Sequence, residues 1–379
     1  MWKNIRGYFL YFAKNFNLFF SDLKFIKKNF LRLNYLVLRY AKNILIRFLD
    51  ITFVNLIFII FYLFKKKVKK NKIILLGNYY AGNNITISDD YKGIFQTLKD
   101  IEVSFDNYFF DKKNYFYLKL FIIIRILLNI DTVILASNDI KKPECLSYFQ
   151  IYILQKIFKK KLINLLWDTS EKALIKKRGH VLKLFNSNII LDNPNFKNFH
   201  KYNKKNILIK WPVMSYSFFE KNFEGISEKK NNLCFMGQVD SHRKVRLNTL
   251  NYIKKNTNIL ISTNNRKEFL SDKEYYKILS ESKISINFSY GINCHQTKGR
   301  VFDSIFYECL VIEEKNSQIT NFFEPGKEIV FFENKEDLLN KILYYLENDF
   351  ERKSICRNAK KKLLEKYNPK KFWENLLIN

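Results

Sequence analysis

Lys283 to Ile312 read KISINFSYGINCHQTKGRVFDSIFYECLVI: a β-branched run, a polar approach, a helical stretch and a second apolar run. Ile284 to Phe288 reads as a strand, residues 300 to 309 as a helix and Leu310 to Ile312 as the next strand. A strand that returns through a helix to another strand pairs with it in parallel, since an antiparallel neighbour needs only a tight turn. This unit sets the pattern for what flanks it.

Upstream, Leu233 to Met236, a helix over 243 to 254, Ile259 to Ser262 and a helix over 274 to 282 continue the alternation. Downstream come Ile329 to Phe332 and a helix over 335 to 346. A second series begins after Lys72 with strands at Ile73 to Leu76, Val103 to Phe105, Val133 to Leu135, Ile163 to Leu166, Ile189 to Leu191 and Ile207 to Ile209. Helices over 90 to 98, 118 to 128 and 146 to 158 lie between them. Strands separated by helices predict parallel sheets covered on both faces. The expected fold is therefore α/β, with two Rossmann-like doubly wound domains. Their predicted bounds are 71–214 and 232–365, joined by a polar linker over 215–231. A last helix within 366–379 is expected to pack back on the first domain.

Residues 1–70 are of another kind. They hold 15 Lys or Arg against Asp22 and Asp50, a surplus of +13 within a chain whose net charge is +30. Phe9, Phe12, Phe16, Phe19, Leu23, Ile26 and Phe30 recur at three- and four-residue steps opposite Lys14, Lys24, Lys28 and Arg32, which predicts a basic amphipathic helix. Ile51 to Phe64 is apolar but shorter than the roughly 20 residues of a spanning helix. A lysine collar from Lys65 to Lys72 follows it. Together they predict a helical extension lying on an anionic membrane surface at the cytoplasmic face. A soluble hairpin with solvated lysines is the competing reading.

The composition, 47% hydrophobic and 27% charged, excludes a disordered or fibrous chain. The five cysteines form no C-x-x-C pair and no metal-ligand spacing with the four histidines. Buried thiols in a reducing compartment, no bound metal and no cofactor are the expectation. No cleaved secretory signal is legible.

In open parallel sheets, ligands sit beyond the carboxyl ends of strands, against helix amino ends that favour phosphate. Thr297-Lys298-Gly299-Arg300 is a flexible approach opening a helix on which Arg300 and Asp303 share a face. A diphosphate there meets free N–H groups and two cations, and Asp303 accepts from ribose hydroxyls. The same spacing also fits an ordinary surface ion pair. In the first half, Asp168 follows the strand ending at Trp167, placed either to deprotonate an acceptor hydroxyl or to cap the next helix. Gly82 in the loop after the first strand and His180, His242 and His295 are further candidates.

Phe235-Met236-Gly237 followed by Arg243, Glu274-Tyr275-Tyr276-Lys277-Ile278-Leu279 leading into Lys283-Ile284-Ser285-Ile286-Asn287-Phe288, the KGRVFD helix, and Phe323-Glu324-Pro325-Gly326 resemble the C-terminal domain of GT-B glycosyltransferases. More narrowly the pattern is similar to the group-1 branch related to the spore maturation protein CgeB. The resemblance spans about residues 232 to 376. It implies a nucleotide-sugar donor in the C-terminal domain, an acceptor in the N-terminal one, and a glycan or lipid-linked acceptor. On it, Asp303 matches the ribose-binding acid, Lys298 and Arg300 the diphosphate cations, Gly237 the glycine after the first strand and Arg243 the basic residue beyond it. Two positions depart from the pattern: His295 replaces an acid, and Glu308 replaces a frequent glycine. Those departures leave open a catalytically inert partner protein, and the charge leaves open a nucleic-acid binder, although no recognised nucleic-acid module is present.

Overall fold

The computed structural model describes residues 52, 56–58, 60, 72–77, 80–81, 86–87, 89–109, 115–136, 145–166, 179–192, 208–210, 228–237, 239, 244–257, 259–263, 270–289, 296–316 and 318–378. The chain divides into two units, residues 1–66 with 116–123, and residues 67–115 with 124–379. In the first unit Phe58 is buried, while Leu56 and Ile60 are exposed. Nearly all of the predicted basic extension lies outside the described residues.

The second unit holds two parallel sheets. The first contains β1 (Ile73–Gly77), β4 (Phe105–Phe109), β5 (Thr132–Ala136), β6 (Lys161–Leu166), β7 (Ser187–Ile190) and β8 (Leu208–Lys210). A two-stranded hairpin of β2 (Tyr80–Ala81) and β3 (Thr86–Ile87) follows β1. Helices α1 (Asp89–Asp100), α2 (Tyr115–Asn129), of which residues 116–123 count with the first unit, and α3 (Tyr148–Lys156) make the crossovers. The strand order is β4-β1-β5-β6-β7-β8. All five residues of β1 and of β5 are buried, which is why Ile73–Leu76 and Val133–Ala136 are apolar runs rather than alternating ones. The predicted strand at Val103 begins instead at Phe105. Glu102 adopts a left-handed φ of 56°, and the Glu102 and Val103 amides close α1 onto Lys99 and Leu98, so these residues end the helix.

The second sheet contains β9 (Asn231–Gly237), β10 (Ile259–Thr263), β11 (Ser282–Asn287), β12 (Leu310–Glu314) and β13 (Val330–Phe332), in the order β10-β9-β11-β12-β13. Its helices are α4 (Lys244–Lys254), α5 (Asp272–Glu281), α6 (Gly299–Phe306), α7 (Lys335–Glu347) and α8 (Asp349–Lys366). α8 is not separated in the sequence reading, because its lysine-rich surface masks a buried stripe of Arg352, Ile355, Cys356, Ala359 and Leu363. A last helix, α9 (Pro369–Ile378), returns to the first sheet: Phe372 and Trp373 join the core formed by Ile73, Leu75, Ile94, Leu98 and Ile163. Cys145, Cys234, Cys309 and Cys356 are buried free thiols.

Each sheet starts at an inner strand, runs out to one edge, then crosses back to the other side. The direction in which strands are added across the sheet reverses between β1 and β5, and again between β9 and β11. Loops diverge at such a reversal and leave room for a ligand beyond the strand ends.

Candidate functional site

Gly237 ends β9 and Asn287 ends β11, so they flank the second reversal. A Cβ on Gly237 would stand 2.7 Å from the Phe235 ring and 3.4 Å from Cζ of Arg300. Any larger residue would therefore push on that ring, while the guanidinium stands at ordinary contact distance. Phe235 meets Phe288 edge-on at 5.5 Å, and both Arg300 and Arg246 lie over the Phe235 ring, at 5.7 and 5.6 Å. Both arginines also donate to the Phe288 carbonyl, Arg300 at 2.9 Å and Arg246 at 3.4 Å. Two cations thus converge at the reversal, held by aromatic faces and a strand-end carbonyl.

Arg300 stands in the first turn of α6. Lys298 occupies the N-cap position and makes no side-chain cap bond, and a Cβ on Gly299 would meet nothing within 4 Å. The positive end of the helix dipole carries two added cations and no acidic residue in its first turn. At the other end, Lys229 donates to the Tyr307 carbonyl at 2.6 Å, satisfying an orphan acceptor at the negative pole. Asp303 is half-buried one turn in and accepts from the Tyr275 hydroxyl at 2.8 Å. Burial first, and then the Asp303 charge, hold the Tyr275 phenol well above its ordinary pKa. Ser271 opens α5, which carries Tyr275: its Oγ accepts from the Glu274 amide, and the Glu274 carboxylate accepts from the Ser271 amide.

Beneath Arg300 runs a polar chain. Arg300 Nε donates to Asn287 Oδ1, and Asn287 Nδ2 donates to Glu313 Oε2. Asn287 and Glu313 are direct cross-strand partners in the β11–β12 register, so the sheet itself sets this contact. Glu313 is only 1% exposed, and its Oε1 is buried with no hydrogen-bond partner. Burial pushes its carboxyl up to about 8, against the opposing pull of the Asn287 hydrogen bond and the Arg300 charge.

The approach to α6 is held in place. Gln296 and Thr297 are buried, and the Thr297 amide donates to Asp192 Oδ1 at 2.5 Å. Gln296 donates its amide to Ser289 and accepts from Asn316 Nδ2 and Lys298 Nζ. Asp192 follows β7 of the first sheet, so that sheet reaches the entrance of α6 directly. Among the described residues no three His, Cys, Asp or Glu side chains gather as metal ligands.

Gly237, Lys298, Arg300 and Asp303 therefore meet around one helix end. Asp168 and Arg243 lie outside the described residues, as do Gly82, His242 and His295. His180 falls in a 3-10 turn, Gly179–Leu184. Sequence reading did not single out Arg246, Asn287, Glu313 or Asp192, and quoted Tyr275 only as part of a motif. Arg246 lies three positions past Arg243, on the buried face of α4. That helical spacing was the available signal for it.

Residues 238–378 match a family model described as glycosyl transferase-like. No curated protein matches the sequence. Among solved structures, Anabaena HepE in complex with UDP and glucose superposes with a TM-score of 0.52 at 11% identity, over 82% of this chain and 100% of that one. Sucrose-phosphate synthase from Thermosynechococcus elongatus gives 0.54 at 9% identity, over 82% and 97%. The chain thus has the two-sheet fold of GT-B glycosyltransferases, with a glycosyl transferase-like domain over 238–378.

Proposed function

We propose that the protein is a glycosyltransferase of the CgeB-like branch. It moves a sugar from a nucleoside-diphosphate donor to a hydroxyl of a surface-glycan precursor or lipid-linked acceptor at the cytoplasmic face of the membrane. The observation that carries this reading is Arg300, in the first turn of α6, standing at the second reversal, with Lys298 at the helix N-cap and Asp303 one turn away.

In the reaction the acceptor oxygen bonds to the anomeric carbon while the bond from that carbon to the diphosphate breaks. The departing diphosphate takes the electron pair, and the hydroxyl proton passes to a base. Arg300, Lys298 and the α6 dipole neutralise the diphosphate without a metal. Asp303 would accept from the ribose, sharing the carboxylate that now accepts from Tyr275 or releasing it. Asp168, which follows β6, is the proposed base. Holding donor and acceptor in line supplies the remainder. The first sheet would take the acceptor, and the +13 of residues 1–70 would keep the enzyme beside anionic lipid. No cofactor and no nucleic acid enters this scheme.

UDP, GDP, ADP and their sugars, added to the full chain in a thermal-shift assay, test it. At a hundredfold excess over Kd, a true ligand stabilises by about 2.7 kcal/mol. At least one should do so, and Arg300→Ala and Asp303→Ala should abolish the shift. Transfer of labelled sugar to membrane lipid extract then tests the acceptor class. A folded chain indifferent to every nucleotide ends the donor reading, and salt-sensitive oligonucleotide binding in its place would redirect it.

A further inference from the structure

We infer that Asn287 and Glu313 are positioning residues for Arg300: a buried relay that holds its guanidinium at the second reversal and makes its availability to an anion depend on a proton on Glu313. The inference rests on the donor-site reading above for the identity of that anion.

The relay has a direction. Arg300 Nε–H points at Asn287 Oδ1, and the Asn287 amide passes on to Glu313 Oε2. Asn287 cannot leave without orphaning Arg300 Nε, and Glu313 cannot leave without orphaning the amide. Asn287 and Glu313 are 1% exposed, so water replaces neither. With a proton, Glu313 is neutral, and its partnerless Oε1 costs little more than an unmade neutral bond. Without one, a carboxylate with an orphan oxygen stands in the core. Its charge polarises the Asn287 amide and strengthens the grip of Oδ1 on Arg300. It also sets a negative charge beneath the place where a diphosphate would lie. Ionisation of Glu313 therefore draws Arg300 inward and repels the anion, both in one direction.

The surroundings fit that behaviour. α6 brings Arg300, β11 and its continuation bring the neutral donors Asn287 and Ser289, and β13 places Phe331 opposite Glu313. Glu314, the neighbour on β12, carries the nearest second carboxylate and accepts from the Ser289 amide at 3.1 Å. α8 lines the Val311 face of β12 with Ala359 and Leu363, and its Cys356 thiol is pushed up to about 11, above the window concerned. Arg246 from α4 shares the Phe288 carbonyl. Arg300 is thus the cation that answers to Glu313, and burial holds the proton on near neutrality.

UDP affinity of the full chain, measured calorimetrically from pH 7 to 9.5, reads the coupling. The terminal phosphate, with its second pKa of about 6, stays ionised throughout. Affinity should fall by about tenfold between pH 8 and 9.5, and Glu313→Gln should remove that fall. An equal fall in both proteins overturns the relay. The Arg300 Nε–H resonance, followed without nucleotide, is a second reading. It should titrate near pH 8 in the wild type, stay fixed in Glu313→Gln and shift at every pH in Asn287→Ala. If it titrates although no nucleoside diphosphate binds, the relay stands and the donor reading falls. If it does not titrate, the relay is wrong whatever binds.

Discussion

Asp192, the second residue after β7 of the first sheet, accepts the Thr297 amide at 2.5 Å, immediately before the helix that presents Arg300. The two sheets are therefore joined by a buried hydrogen bond at the entrance of the candidate site. A charge-assisted acceptor 1% exposed has no water to replace it. Asp192→Ala orphans the amide and should cost about 1–3 kcal/mol of unfolding free energy and weaken nucleotide binding. Asp192→Asn keeps an acceptor oxygen and should retain most of both. Urea titration and a thermal-shift series would measure them. Equal losses in the two variants would show that charge, not acceptance, is what matters there.

Glu308 stands where the family pattern often has glycine, and the backbone explains how the departure is tolerated. Its φ is 55°, and the Glu308 and Cys309 amides bond back to Ile305 and Ser304, the pairing that closes a helix through a left-handed residue. Its carboxylate pairs with Lys360 at 2.7 Å. Glycine would relieve up to about 1 kcal/mol of backbone cost and lose an ion pair worth about 0.5, so Glu308→Gly should be neutral to slightly stabilising. Glu308→Val, β-branched at the same φ, should lose about 2 kcal/mol or more. The ordering of the three urea midpoints is the measurement, and valine at or above glutamate would refute the argument.

These two positions show how far letters alone reach. β1, β5 and most of β12 are buried on both faces, so their apolar runs announce a parallel sheet directly. Lys298, Arg300 and Asp303 were legible because they cluster at a helix start, and Gly237 through the family resemblance alone. Asn287 and Glu313 were not: 26 residues apart, they meet only through the β11–β12 register, and a one-residue slip would part them. Asp192 and Thr297 meet over 105 residues through tertiary placement, for which no local pattern exists.

Trp373 is 1% exposed and sits with Phe372 among Ile73, Leu98 and Ile163, so the last helix of the chain completes the first sheet's core. Trp373→Ala should cost about 3–5 kcal/mol, enough to remove much of a domain's stability. The loss should register on the first sheet, so hydrogen exchange would quicken in β1 and β5 before β9 and β11. Exchange that rises only in the second sheet would contradict that packing.

Glu313 makes stability itself depend on pH. Its carboxyl titrates near 8 when folded, against the ordinary 4.5. Because the folded pKa is the higher one, the native state binds the proton more tightly. Between pH 4.5 and 8 the unfolded chain has released it while the native chain keeps it. Proton uptake on folding means that this group's contribution falls as pH rises across the window, by up to about 1.4 kcal/mol per unit, and is level on either side. Glu313→Gln should flatten the decline and be the more stable protein at pH 8, although at pH 5 it gains little. Urea midpoints of both proteins at four pH values decide it. Parallel curves would place the decline on other groups and Glu313 in an environment that tolerates its charge.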